Sequence, residues 1–159
     1  MNNLLSNDGG FIKGLKTIHI ALSLGITFFL LIVVVLQYGA GIAFTDAADK
    51  ELENIFDYVI TIIVFVNPVA GIFIFDNKVK KINSLSLTVP EKKEAYRSAF
   101  IKKSVFIEAA AFFAIVGFML FGSILFLSLA VIALVFFIFQ HPAVYKVSRD
   151  LNLKPEDLG

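Results

Sequence analysis

Blocks of almost unbroken apolar sequence, each about as long as a bilayer is thick, constrain this chain more than anything else in it. A helix crossing the ~30 Å hydrocarbon core needs about 20 apolar residues. The runs at 17–38, 57–76, 102–121 and 124–140 meet or approach that length. Lipid offers no partner to backbone N–H and C=O groups, so each run must be helical. The chain is 58% apolar with a mean hydropathy of +0.84, above the roughly 45–50% of soluble domains. The expected fold is all-α: a membrane four-helix bundle with a helical cytoplasmic hairpin between spans 2 and 3, one transmembrane domain over 1–159. The first run is too long for a signal h-region and no small-residue cleavage site ends it, so it reads as a retained span.

A formal net charge of +1 conceals a strong asymmetry. Lys13 and Lys16 precede the first run. Lys78, Lys80, Lys81, Lys92, Lys93, Arg97, Lys102 and Lys103 fill the connection between the second and third, and Lys146, Arg149 and Lys154 follow the fourth. The alternate connections carry Lys50 alone. Basic residues in short loops stay on the cytoplasmic side, so four spans with both termini cytoplasmic fit every segment. The expected location is a bacterial inner membrane, crossed several times.

Local signals refine this plan. Phe11, Ile12 and Leu15 suggest a short interfacial turn before the first span, and Tyr38 is placed for the opposite interface. The acidic stretch Asp46, Asp49, Glu51, Glu53 and Asp57 lacks calcium-loop spacing and reads as a solvated face, with Thr45 or Asp46 capping a short surface helix. Asn67-Pro68 predicts a kink in the second span, because proline removes a donor and crowds the carbonyl of Val64. Thr88-Val-Pro-Glu91 is a capping-box signature. The helix starting there meets no breaker before Phe121. Gly122-Ser123 is too short for anything but an antiparallel return. Pro142 is expected to open a tail helix with Val144, Val147 and Leu151 on one apolar edge, lying along the membrane or on the basic hairpin.

Glu108 stands inside the third run. An intramembrane acid is costly and therefore a candidate functional group. Arg97, Ser104 and Glu108 share one helix face, which suggests a polar path from the cytosol. Ala110, Ala114 and Gly117 form an opposite small-residue stripe suited to close helix contact. His19, Ser23 and Gln37 make a polar side on the first helix, and Gln140 and His141 close the fourth. His19, Arg97, Ser104, Glu108 and Gln140 are thus the candidate polar cluster, structural or functional, with a pairing of His19 and Glu108 expected from similar depth. Asn67 reads as interhelical glue or as a substrate contact. With no cysteine and both histidines at helix ends, no metal or cofactor is expected.

Tyr96-Arg97-Ser-Ala-Phe100, Glu108-Ala-Ala-Ala-Phe112, His141-Pro142 and Asp150-Leu-Asn-Leu153 together resemble a family of small, uncharacterised bacterial four-span integral membrane proteins. The resemblance implies an arginine before the third span, an acid early within it and a proline after the fourth. Arg97, Glu108 and Pro142 occupy those places, while His141 stands where an arginine is more usual. It implies the architecture and no activity.

Three function classes follow. A structural or accessory membrane component would use the basic loop and tail to meet a partner. A small proton- or cation-coupled transporter, functioning as an oligomer, would use Glu108. An enzyme would need a second catalytic group and a recognisable nucleophile, phosphate loop or metal spacing, and the sequence has none of these motifs. The expected partners are the bilayer, a second copy or another membrane protein, and anionic lipid at the basic loop; nucleic acid is not expected.

Overall fold

The computed structural model describes residues 10–39 and 50–158, and all regular structure in them is helical. Five α-helices follow in order: α1 (Gly10–Gly39), α2 (Lys50–Ser84), α3 (Val89–Phe121), α4 (Ile124–Phe139) and α5 (Val144–Leu151). A 3-10 turn, Pro155–Leu158, ends the tail. Three helices, α1 to α3, are long and apolar enough to cross a membrane. The fourth, α4, has 16 residues, about 24 Å at 1.5 Å per residue. It reaches spanning length only if counted with α5, from which it is bent by 71°.

Contacts fix the helix directions. Phe11 meets Tyr96, His19 meets Phe100 and Phe29 meets Phe112, a nearly constant sequence offset, so α1 and α3 run parallel. Gly71 abuts Phe106, Gly117 abuts Ile60, and Phe56 meets Phe121; these index pairs share a constant sum, so α2 runs antiparallel to α3. Lys103 with Gln140 and Phe121 with Phe126 set α4 antiparallel to α3 in the same way. In consequence, 13 of the 14 lysines and arginines gather at one end of the helices, all but Lys50.

The central element is α3, which contacts α1, α2 and α4. Its small-residue stripe is what permits this. Ala110, Ala114 and Gly117 are buried, and a Cβ on Gly117 would stand 2.7 Å from Ile60 and 2.9 Å from Phe126. Gly71 on α2 is as tight, with Phe106 Cβ 2.8 Å from the space a side chain would need. Among apolar segments such close approach, rather than exclusion of water, is the source of association energy.

Helix ends are built as their residues dictate. Glu91 accepts hydrogen bonds from the backbone N–H and hydroxyl of Thr88, at 2.8 and 2.7 Å, so the capping box is present. Gly122 adopts φ 65° and donates its N–H to Phe118, closing α3 before the chain turns back. Proline 68 lies inside α2, which continues unbroken through it. Pro68 is buried beside a cavity of about 170 Å³ shared with Phe65, Ile132 and Phe136.

Two apolar clusters result. One, with Ile26, Val33, Ile107, Phe118 and Phe126, runs through the long apolar segments. The other joins Leu15, Phe75, Ile82, Tyr96 and Phe100 to Val147, Leu151 and Leu158 of the tail. The tail therefore packs on the basic end of α2 and α3. Burial of a leucine- or valine-sized side chain contributes ~1.5–3 kcal/mol where water is the alternative, and Val147, Leu151 and Leu158 are fully buried. Val144 is exposed and Ala143 caps α5, so the expected apolar edge shrinks to Val147 and Leu151, and Pro142 precedes the helix instead of opening it. The expected interfacial turn is instead continuous with α1. Lys50 to Asp57 belong to α2 itself, with Glu51 and Glu53 in its first turn, where carboxylates suit the helix dipole. The capping role expected of Thr45 or Asp46 lies outside the described residues.

Candidate functional site

His19 sits at the level of Phe100, and Glu108 lies eight residues further along α3. At 1.5 Å per residue that is about 12 Å. The expected pairing of His19 with Glu108 is therefore corrected. His19 is 3% exposed and stacks on Phe137 at 4.7 Å between ring centroids, with His141 edge-on at 5.7 Å. One ring nitrogen faces the Ile138 carbonyl at the end of α4. The other, Nδ1, is buried without a hydrogen-bond partner. Counting depth from the lysines that precede each run misplaces the pair, because Lys16 and Lys103 do not lie at the same level: with Phe11 at Tyr96 and His19 at Phe100, α1 is displaced along α3.

The other members of the expected cluster separate too. Arg97 is exposed and rests its guanidinium against Gly14 of α1, where a Cβ would stand 3.2 Å from Nη2. Ser104 is 2% exposed. On the face that carries Arg97 and Glu108, the intervening Ser104 is thus closed off from the surface. Glu108 is half-buried, and among the described residues no hydrogen bond or ion pair engages it. Asn67 is also half-buried and shows no hydrogen bond to a neighbouring helix among those residues.

Gln140 does find a partner, and it is one that sequence reasoning passed over. Lys103 Nζ approaches Gln140 Oε1 at 3.5 Å and lies over the rings of Phe75 at 4.4 Å and Phe100 at 5.3 Å. Two aromatic faces and an amide hold this ammonium, a cation–π arrangement worth ~0.5–2 kcal/mol. Asp76 and Asp150 are the carboxylates whose charge reaches it. The signal was available in part: Phe100 and Lys103 are three apart on one helix, the spacing at which side chains meet.

Around Lys103 the tail is latched. Tyr96 donates its phenol to Asp150 Oδ2 at 3.1 Å, and Asn83 donates its amide to the Asp150 carbonyl at 2.7 Å. Burial raises the Tyr96 pKa above its ordinary value, and the Asp150 charge adds to the shift. Arg149 pairs with the same carboxylate at 3.2 Å, and Ser148 bonds the Leu153 carbonyl. Asp150 thus draws together α2, α3 and α5. At the opposite end, Gln37 donates to the carbonyls of Phe118 and Met119 at 2.9 and 2.6 Å. Ser23 and Thr27 return their hydroxyls to the carbonyls of their own helix.

Comparison with protein-family models, with curated proteins and with solved structures finds no match to this chain. Among the described residues no group of three histidine, cysteine or carboxylate side chains is placed to hold a metal ion. What the basic end offers chemically is a set of ammonium and guanidinium groups around a tail held by one carboxylate.

Proposed function

We propose that this chain is a structural or accessory component of a bacterial inner membrane, crossing it four times as a helix bundle with both termini and the α2–α3 hairpin in the cytoplasm. The observation that carries this is the gathering of 13 of 14 basic residues at one end, the end that the latched tail covers. Retention of basic residues on the cytoplasmic side supports the orientation. A cationic end on which the tail is packed suits contact with another membrane protein more than passage of a solute. The resemblance of several segments to small four-span membrane proteins is in keeping with the same architecture, and no enzymatic role is proposed.

Single cysteines at Asn54 and Ser86, both exposed, test the orientation in a chain free of native cysteine. A membrane-impermeant maleimide added to intact cells is expected to label only the Asn54 position. Labelling of both positions, or of Ser86 alone, rejects the orientation. In-cell crosslinking from the Ser86 position tests the accessory role: a discrete heteromeric adduct is expected, and its absence argues against that role.

A second reading rests on Glu108, a half-buried carboxylate with no hydrogen bond or ion pair among the described residues. In a proton- or cation-coupled transporter it would be the coupling group. Flux into proteoliposomes that is lost in Glu108→Gln, with assembly intact, would favour this reading over the accessory one.

A further inference from the structure

A cavity of about 250 Å³ opens between the last turns of α2 and the early turns of α3. Lys78, Lys81 and Lys102 line it together with Ser98, and Ile82 and Leu87 contribute to an apolar floor. We propose that this cavity binds one anionic phospholipid, its phosphate held by the three ammonium groups and its glycerol end laid on the apolar floor.

Three features converge on that occupant. No carboxylate lines the cavity, so the three lysines repel one another around a shared concavity unless an anion sits among them. Lys102 stands at the start of the apolar run of α3, which sets the cavity at headgroup depth rather than in bulk water or hydrocarbon. Its volume is below the ~300–1,000 Å³ of sites that enclose a whole drug-sized ligand, so it accepts the headgroup end and leaves the acyl chains in the bilayer. An inorganic anion would make no use of Ile82 and Leu87. The inference deepens the proposed function and rests on its membrane embedding, though not on which face is cytoplasmic.

The test uses the full chain in mild detergent, titrated with phosphatidylglycerol or phosphatidylcholine and read by native mass spectrometry. One phosphatidylglycerol is expected to bind in preference to phosphatidylcholine. Replacing Lys78, Lys81 and Lys102 together by Gln should weaken it at least about tenfold. Replacing Lys13, Lys80 and Lys154 by Gln removes the same charge from exposed positions at the same end and should change it less than about twofold. Ser98→Trp, which fills the cavity without altering charge, should also displace the lipid; if that variant does not fold, the two lysine triples decide. Equal losses in both triples, or equal binding of the two lipids, would overturn the site. Displacement by glycerol phosphate at lipid-equivalent concentrations would reassign it to a soluble phosphate ester. Failure of the membrane reading itself would appear separately, as release of the chain from membranes by alkaline carbonate.

Discussion

Gln37, near the end of α1, donates its side-chain amide to the carbonyl of Phe118 at 2.9 Å, so one helix caps the C-terminal end of another. Phe118 also receives the Gly122 N–H, so the carbonyl that depends on Gln37 among the described residues is that of Met119, bonded at 2.6 Å. The last carbonyls of a helix lack partners within it, and at membrane depth an orphan carbonyl is expensive. Gln37→Leu is expected to destabilise the detergent-solubilised protein by about 1–3 kcal/mol. Gln37→Glu should cost more, since it sets an acceptor against acceptors. Denaturant titration followed by circular dichroism measures both; a Glu variant as stable as wild type would refute the capping role.

Glycine substitutions should divide sharply by position. A Cβ on Gly71 would stand 2.8 Å from Phe106 Cβ, an atom anchored to its own backbone, while one on Gly25 would meet nothing within 4 Å. Gly71→Ala is expected to cost about 1–3 kcal/mol. Gly25→Ala should be neutral or stabilise by up to about 1 kcal/mol. Thermal melts of the two variants check this, and a Gly71→Ala protein that melts like wild type would contradict the close α2–α3 approach.

His19 and Glu108 should behave as independent sites. His19→Ala removes a stacked, buried ring and is expected to cost about 2–4 kcal/mol. Glu108→Gln breaks no hydrogen bond among the described residues and should stay within about 1 kcal/mol of wild type. For residues about 12 Å apart along the bundle, the double variant should be additive within ~0.5 kcal/mol. A coupling energy above ~1 kcal/mol would restore the pairing that the structure rejects.

Tail docking should weaken in alkali. The Tyr96 pKa is raised in the folded protein by burial and then by Asp150. A group with a raised folded pKa binds its proton more tightly when folded, so its contribution is fully present below the ordinary tyrosine value of about 10. It declines as pH rises above that value, where the undocked phenol ionises and the docked one resists. Limited proteolysis at the tail should therefore accelerate above about pH 10 in wild type. Tyr96→Phe should cleave faster at neutral pH with a flatter alkaline rise. Identical pH profiles would remove Tyr96 from the latch.

Part of the polar arrangement was legible in the residues alone. Glu91 three residues after Thr88 is a local pattern, and the capping box it predicts is present. Gly122 had to end a helix because only a residue at ease with positive φ turns the chain so abruptly. The stripe Ala110, Ala114, Gly117 announced close packing by its size and period. In the sequence Lys103 is one of eight basic residues between the second and third runs, and its capture by Phe75, Phe100 and Gln140 depends on three separate helices meeting there. Asp150 likewise shows nothing in its tail segment that foretells a bond to Tyr96, 54 residues earlier.

By itself, the sequence determined that the fold is helical with several long apolar segments, where α3 begins and ends, and that nearly all basic charge belongs to one end. These follow from hydropathy and from backbone hydrogen bonding, which act over a few turns of one helix. The tertiary structure alone decided that His19 lies beside Phe137 and not Glu108, that α4 stops short and bends into α5, and that the tail folds back onto α2 and α3. Those outcomes depend on the axial register between helices, which close contacts such as Gly117 against Ile60 and Phe126 set. A shift of eight residues in that register leaves every helical period unchanged, so no reading of a single segment reveals it.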